Sequence, residues 1–332
     1  MGDVAMTVPV IRMLIDQHPD LSVTFVSDEK LMPLFKGIDR VDFFGADTRG
    51  KFRGVTGLFR LYQLLKKNNK NSAVADLHNV LRTKVLSTLF KLSGFNVASI
   101  DKGRAGKKKL TRKQNKYLVQ LPTTFQSYAD VFEKLGYPVK LDLLQKVKLN
   151  TNNTVKKLPG DNEKIRIGLA PFAKHKEKMY PLSEMEKVVS IMANKGYYLY
   201  LFGGGVEEIN QLKRWEKLYP GVFTIAGELL LEDELILISN LDLMITMDSA
   251  NMHLASLYGV PVVSIWGATH PFAGFYGFGQ NSEYAVQADL FCRPCSVFGN
   301  KECYRGDWAC MKMITPEKII GKVEKVLNLS AL

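Results

Sequence analysis

The sequence predicts an α/β protein with two doubly wound, Rossmann-like domains facing across a cleft. Short apolar runs alternate with helical patterns in both halves, and a polar stretch rich in Asn, Thr, Pro and Gly separates them. One segment, 242–271, has the strand–helix–strand pattern of a parallel βαβ unit. At 332 residues the chain is long enough for two cores.

The first domain is expected over residues 1–150. Its predicted strands are Ser22–Ser27, Val41–Gly45, Ala73–Leu77 and Asn96–Ile100. Its predicted helices are Val8–Gln17, Gly57–Lys67, Leu81–Leu92 and Gln126–Leu135. A domain of this type normally begins with a strand at the centre of its sheet, whereas here a helix comes directly after Met1 and Gly2. We therefore expect that the first strand is missing, either from the sheet itself or because the chain is a shortened version of a longer product.

The second domain is expected over residues 164–332, after a linker at 151–163. Its predicted strands are Ile165–Ala170, Tyr198–Phe202, Phe223–Ile225, Leu243–Met247 and Val262–Trp266. Its predicted helices are Leu182–Asn194, Val206–Leu218, Glu232–Ser239, Asn251–Tyr258 and one from Pro316 to about Val326.

The turn after strand Leu243–Met247 is the leading candidate for a binding site. Ligands of parallel sheets bind beyond the carboxyl ends of the strands, and Asp248, Ser249, Ala250 and His253 follow that end. A helix start there offers free N–H groups to an anion. Asp248 as a simple helix cap explains the turn equally well.

Other candidates lie at the ends of neighbouring strands. Lys174, Lys176 and Lys178 precede a helix and could neutralise a diphosphate, although a basic surface loop is the alternative. Glu207 and Glu208 follow three glycines and suit ribose hydroxyls, or merely the helix dipole.

The net charge of +12 predicts an anionic partner. Residues 102–116 hold eight Lys or Arg side chains and no acid, including Lys107, Lys108 and Lys109. A phosphorylated substrate or an acidic membrane surface fits this stretch, and a solvated loop is the alternative. Nucleic acid fits less well because aromatic residues for base stacking are not interleaved. No apolar run approaches a membrane span and no secretory signal is visible, so a cytoplasmic protein is expected.

Four cysteines fall within a short segment, namely Cys292, Cys295, Cys303 and Cys310. The C-x2-C start is typical of zinc sites, but the later spacing is wider than in standard ribbons. Structural zinc, free thiols and a redox-labile cluster all stay open.

Several of these segments together resemble the lipopolysaccharide heptosyltransferases, which are inverting glycosyltransferases of the GT-B fold. The resemblance covers nearly the whole chain, and its motifs are MGDVAMTVPVIRML, DLHNVLRT, KMYP, MDSANMHLASLYGVPVVSIWGATHP and CRPC…CMKMITPE. It implies transfer of heptose from ADP-heptose to lipopolysaccharide core at the inner membrane, with no cofactor required.

The resemblance also implies roles for individual residues. Asp3 matches the general base, and Lys178 matches the lysine on the donor phosphates. The other implied donor residues are Glu207 or Glu208, Asp248, Ser249, Ala250 and His253. Lys174 stands where the family often has Thr or Ser, and it is a donor candidate because of its charge. The expected acceptor residues are Arg82 and Lys107–Lys109. Ser249 and Ala250 replace the Thr-Gly of the family pattern. A GT-B enzyme with another sugar nucleotide, or a non-catalytic binder of the same fold, is the alternative.

Overall fold

The computed structural model describes residues 1–68, 73–143, 145–159 and 164–330. Residues 160–163 of the expected linker lie outside these ranges. The chain forms two compact units. The first contains Met1, Asp3–Lys102 and Pro122–Asp142, and the second contains Gly2, Gly103–Leu121 and Leu143–Leu332.

The unit boundary differs from the one expected at 150, because Gly103–Leu121 packs with the second unit. The backbone N–H of Leu121 donates to the carbonyl of Phe272 (3.0 Å), and the Lys116 ammonium donates to the carbonyl of Pro294 (2.7 Å). These contacts join distant parts of the sequence, so strand and helix patterns alone could not place this basic segment.

The helices and strands alternate along most of the chain. The helices are α1 (Gly2–Gln17), α2 (Gly54–Asn68), α3 (Leu81–Leu92), α4 (Arg104–Leu110), α5 (Thr124–Lys134), α6 (Asn153–Lys156), α7 (Leu182–Asn194), α8 (Val206–Leu218), α9 (Leu231–Ser239), α10 (Ala250–Leu257), α11 (Ala309–Lys312) and α12 (Pro316–Ser330). The strands are β1 (Val23–Ser27), β2 (Val41–Gly45), β3 (Val74–Asp76), β4 (Val97–Ser99), β5 (Arg166–Ala170), β6 (Tyr198–Leu201), β7 (Val222–Thr224), β8 (Leu243–Met247), β9 (Val262–Trp266) and β10 (Ala285–Gln287).

The first unit contains two separate parallel strand pairs, β1 with β2 and β3 with β4. Among the residues that the structure describes, no strand joins these pairs. Helices α2 and α3 pack together over an apolar cluster that includes Phe52, Leu61 and Phe90.

The second unit is built on a six-stranded parallel sheet with the order β10-β9-β8-β5-β6-β7. Its strands β8 and β9 are buried along their whole length, which explains their continuous apolar sequences. The strand order reverses between β5 and β8, the first strand of the unit and the fourth. In an open parallel sheet this switch point is where the crevice for a ligand forms.

Most predicted elements agree with the structure to within a few residues, and α3, α7, α8, β2, β8 and β9 match in full. Helix α4, the short α6 inside the expected linker, the short α11 and strand β10 were not predicted. No helix in the described ranges is long and apolar enough to cross a membrane.

Candidate active site

The candidate site lies in the second unit, at the carboxyl ends of β5 and β8. The two strands are hydrogen-bonded neighbours, with Ala170 opposite Thr246. The loop after β5 carries the lysines of the sequence prediction, and the turn after β8 leads into α10. The topology therefore brings the two strongest sequence candidates to one edge of the sheet.

Lys178 and Asp248 form a buried ion pair at this edge. The Lys178 Nζ lies 2.9 Å from Asp248 Oδ2, and the two side chains are 16% and 9% exposed. Gly299 packs against the lysine, since a Cβ at Gly299 would lie 2.3 Å from Lys178 Cγ. Asp248 therefore holds the ammonium while Gly299 lies against the aliphatic part of the side chain, and both contacts limit where the ammonium can be.

This pairing argues against Asp248 as a simple helix cap. The N-cap of α10 is Ser249, whose side chain makes no capping hydrogen bond, and its Oγ instead lies 3.0 Å from Thr246 Oγ1. The first N–H groups of α10 are thus not capped by the Ser249 hydroxyl. N–H groups at a helix start, together with the helix dipole, can bind an anion, so this turn and the Lys178 ammonium make up the candidate anion site.

The remaining residues of the predicted donor site differ in burial and in hydrogen bonding. His253 is 7% exposed and lies in the first turn of α10, beside the N–H groups. Lys174 is exposed in the loop after β5. Glu208 Oε2 accepts a hydrogen bond from the Gly204 N–H (2.8 Å), whereas Glu207 is exposed. Of the two acids, Glu208 is the one fixed at the sheet edge.

The predicted base and acceptor residues are split between the two units. Asp3 and Arg82 belong to the first unit and are exposed. The backbone carbonyl of Asp3 accepts a hydrogen bond from the Tyr128 hydroxyl (3.3 Å), and Arg82 donates to Thr48 Oγ1. The three lysines Lys107–Lys109 lie on α4 in the second unit, and Lys107 Nζ is 4.3 Å from the Phe275 ring centre.

A protein-family model matches residues 48–303, and its description is glycosyltransferase family 9 (heptosyltransferase). The chain belongs to this heptosyltransferase family.

Family 9 relatives are similar to the chain in sequence and fold. A lipooligosaccharide heptosyltransferase 2 of Campylobacter jejuni is 28% identical over 172 residues, which is 50% of this chain and 52% of the relative. The structure of Escherichia coli ADP-heptose lps heptosyltransferase II has a TM-score of 0.69 and 16% identity, with 100% of this chain and 97% of that one covered. The structure of Escherichia coli heptosyltransferase WaaC with ADP-2-deoxy-2-fluoro heptose has a TM-score of 0.67 and 16% identity, with 98% of this chain and 96% of that one covered.

These comparisons show the family and the GT-B fold. The chain spans about half or less of the length of the heptosyltransferase 2 relatives that it matches. The solved structures are too distant in sequence from this chain to show more than its fold.

Arg293 is a structural residue of this family 9 site that the sequence analysis missed. Its guanidinium is 5% exposed and donates hydrogen bonds to four oxygens, which are the carbonyls of Gly267 (2.5 Å), Ala288 (2.6 Å) and Thr269 (3.0 Å) and the Gln287 side chain (3.1 Å). It therefore fixes the loop after β9, which borders the candidate site. Its place between two cysteines in CRPC was the available signal, but the sequence analysis gave roles in that motif only to the cysteines.

His270 follows this loop and is kept neutral by its surroundings. Burial, reinforced by the positive charge of Arg293, lowers the pKa of His270 to about 4. Its Nδ1 accepts a hydrogen bond from the Phe272 N–H (3.1 Å), which a neutral ring allows. The imidazole is therefore uncharged near neutral pH and contributes no cation to the site.

The four cysteines of this family 9 chain are free thiols. Burial raises the pKa of Cys310 to about 11, so this thiol is protonated near neutral pH. Within the described residues, no group of three or more His, Cys, Asp or Glu side chains is arranged to hold a metal ion. The zinc hypothesis stays a prediction, which metal analysis of the purified protein tests.

Proposed function

We propose that this chain is an inverting heptosyltransferase that transfers heptose from ADP-heptose to lipopolysaccharide core. The observation that carries the proposal is the Lys178 ammonium beside the open N-terminus of α10, at the switch point of the second sheet. The family and the solved relative that holds an ADP-heptose analogue support the donor. The names of the relatives support the acceptor.

The proposed chemistry is a single displacement at the sugar carbon, in which the ADP diphosphate leaves. Negative charge grows on the phosphate oxygen as the glycosidic bond breaks. Lys178, the first N–H groups of α10 and His253 stabilise that charge, and they are pre-positioned for it. In this proposal these protein groups carry the charge stabilisation, so the reaction needs no cofactor.

Asp248 supports this reaction indirectly in our proposal. Its carboxylate would repel a diphosphate at close range, and it already binds the Lys178 ammonium. It therefore positions the lysine, while Ser249 and Ala250 provide backbone N–H groups. Lys174 and Glu208, with Glu207 as the alternative, complete the proposed donor site around the outer phosphate and the ribose.

Asp3 is the proposed general base, and this assignment depends on the family motif. It lies in the first turn of α1, exposed to solvent, where a carboxylate can accept the proton of an acceptor hydroxyl. Replacing Asp3 by Asn should lower turnover much more than donor affinity. Loss of donor binding with normal chemistry would reassign the residue.

Arg82 and Lys107–Lys109 are the proposed contacts to anionic groups of the acceptor. Lys108 and Lys109 are exposed on α4 and lack an acidic neighbour in the helix. We propose that this basic stretch also meets the anionic inner leaflet, so that the protein works as a peripheral protein on the cytoplasmic side.

Calorimetry and a transfer assay together test the proposal. Binding of ADP-heptose, weaker or absent binding of UDP- and GDP-sugars, and transfer to a core acceptor are expected. Preference for another nucleotide would indicate a GT-B enzyme with a different donor. Tight nucleotide binding without transfer would indicate a non-catalytic protein of the same fold, for which the replacement of the family glycine by Ala250 is the supporting observation.

A further inference from the structure

Helix α2 of the first unit exposes apolar side chains on its outer half. Leu58, Leu61 and Leu65 face the core. Away from these residues Val55 is 73% exposed and Phe59 45%, and their four-residue spacing places them on the same side of the helix. A helix that only covers a core normally places polar residues at such positions.

The same half of α2 carries positive charge. Arg60, Lys66 and Lys67 are exposed, Lys51 and Arg53 lie just before the helix, and α2 contains no acidic residue. Residues 49–93 as a whole contain ten Lys or Arg residues and one acid. That acid, Asp76, is buried and accepts hydrogen bonds from two backbone N–H groups, so it does not offset the surface charge.

Helix α3 packs against α2 and has the same composition. Leu81 and Leu92 are each 81% exposed, and Lys84 and Lys91 are exposed beside them. Like α2, this helix contains no acidic residue. Helix α8 of the second unit provides a contrast, because its three acids balance its three bases.

We infer that the side of α2 that carries Val55, Phe59 and Lys66, with Arg60 and Lys67 next to it, docks onto an anionic lipid bilayer. Val55 and Phe59 enter the boundary between headgroups and acyl chains, and the cations bind lipid phosphates at headgroup level. A helix with one apolar-and-cationic face lies in the plane of a bilayer in this way. A soluble anion would explain the cations alone, and nucleic acid would call for more stacking rings than Phe59 provides.

This surface differs from the basic stretch on α4, which lies in the second unit and is rich in charge rather than in exposed apolar groups. The biological reason for docking through α2 rests on the proposed function, since an enzyme whose acceptor is part of a lipid must reach that acceptor at a membrane. The docking itself is measurable without the reaction.

The experiment is vesicle binding with the full chain. Wild type, Phe59→Asp/Arg60→Glu and the matched control Leu218→Asp/Lys217→Glu on α8 are mixed with phosphatidylcholine vesicles, with and without 30% phosphatidylglycerol, and sedimented. Each basic residue near such a surface contributes about fivefold in binding, so reversal of one charge and loss of Phe59 should weaken partition by at least about tenfold. All exchanged positions are exposed, and equal circular dichroism and melting curves check the fold.

The expected result is that wild type and control bind the anionic vesicles equally well, while the α2 variant binds them at least about tenfold more weakly. A tryptophan placed at Val55 should also shift its emission to the blue on anionic vesicles. Equal binding of all three proteins, or loss of binding only when the α4 lysines are replaced, overturns the proposal. Binding of wild type to nucleic acid but not to vesicles overturns it too.

The two proposals fail separately. Transfer of heptose to a lipid-free core fragment should be the same in wild type and the α2 variant. If no variant transfers sugar but the vesicle results hold, the proposed function fails and the docking surface stands. If transfer is normal and vesicle binding does not depend on α2, the docking surface fails and the proposed function stands.

Discussion

At the scale of single residues, the Lys178–Asp248 pair explains how the candidate site is organised. The sequence placed both residues at the donor diphosphate but could not show that they bind each other, since 70 positions separate them. Their 2.9 Å contact gives the two residues different roles. In the proposed mechanism the ammonium faces the leaving group, and the carboxylate holds the ammonium.

Replacing Lys178 by Ala should lower turnover about a hundredfold, because removal of one charge stabiliser from such a site costs ~3 kcal/mol in the barrier. Steady-state kinetics with ADP-heptose measure this. Lys187→Ala is the control, since Lys187 pairs with Glu184 on the surface of α7. Unchanged turnover in a folded Lys178→Ala protein would remove the leaving-group assignment.

Replacing Asp248 by Asn separates positioning from direct donor binding. Loss of the carboxylate removes repulsion toward the diphosphate but releases Lys178 from its fixed place. Donor affinity should therefore be equal or tighter while turnover falls about ten- to a hundredfold. A large loss of donor affinity with turnover retained would mean that Asp248 contacts the donor itself.

At the scale of elements, the sequence predicted those strands and helices whose local pattern and burial agree. β8 and β9 are apolar throughout because both faces are buried, and α8 has clear helical periodicity. The missed elements have other causes. Helix α4 has one buried apolar side chain, Leu110, so its periodicity is masked by charge. Strand β10 is a three-residue edge strand that only its pairing with β9 defines.

The loop after β9 depends on Arg293. Replacing Arg293 by Ala leaves the carbonyls of Gly267, Ala288 and Thr269 without this donor and opens a buried space. We expect a loss of about 3–5 kcal/mol in the free energy of unfolding, measured with denaturant. Arg305→Ala is the control, because Arg305 pairs with Asp307 at the surface and should change stability little. Equal stability of both variants would contradict the structural role of Arg293.

Glu234 in the first turn of α9 should make stability depend on pH. Burial raises the pKa of Glu234 to about 7, so in the folded state this carboxyl keeps its proton up to that pH. The unfolded chain releases the proton near pH 4.5, the ordinary value for Glu. Between these two values the folded state binds more protons, and stability therefore falls as pH rises from 4.5 to 7.

Glu234→Gln should remove this dependence. The variant should gain up to ~3 kcal/mol relative to wild type between pH 4.5 and pH 7.5. Denaturant curves at several pH values measure the difference, with exposed Glu133→Gln as the control. If the free energies of unfolding of wild type and Glu234→Gln changed with pH in the same way, the raised pKa of Glu234 would be contradicted.

At the scale of the whole molecule, the two-unit α/β organisation was predictable, but the boundary was not. The basic segment 103–121 lies between two elements of the first unit in sequence, yet its contacts are with residues such as Phe272 and Pro294. Periodicity contains no information about such distant contacts. The predicted acceptor residues are consequently divided between two units rather than collected in one domain.

The proposed donor site requires an anion site between the ends of β5 and β8. A crystal structure of the protein with ADP bound tests this requirement most directly. We expect a phosphate oxygen within hydrogen-bond distance of Lys178 Nζ, and the diphosphate at the first backbone N–H groups of α10. Asp248 should keep its contact with the lysine. ADP bound elsewhere, with Lys178 still paired only to Asp248, would contradict the account.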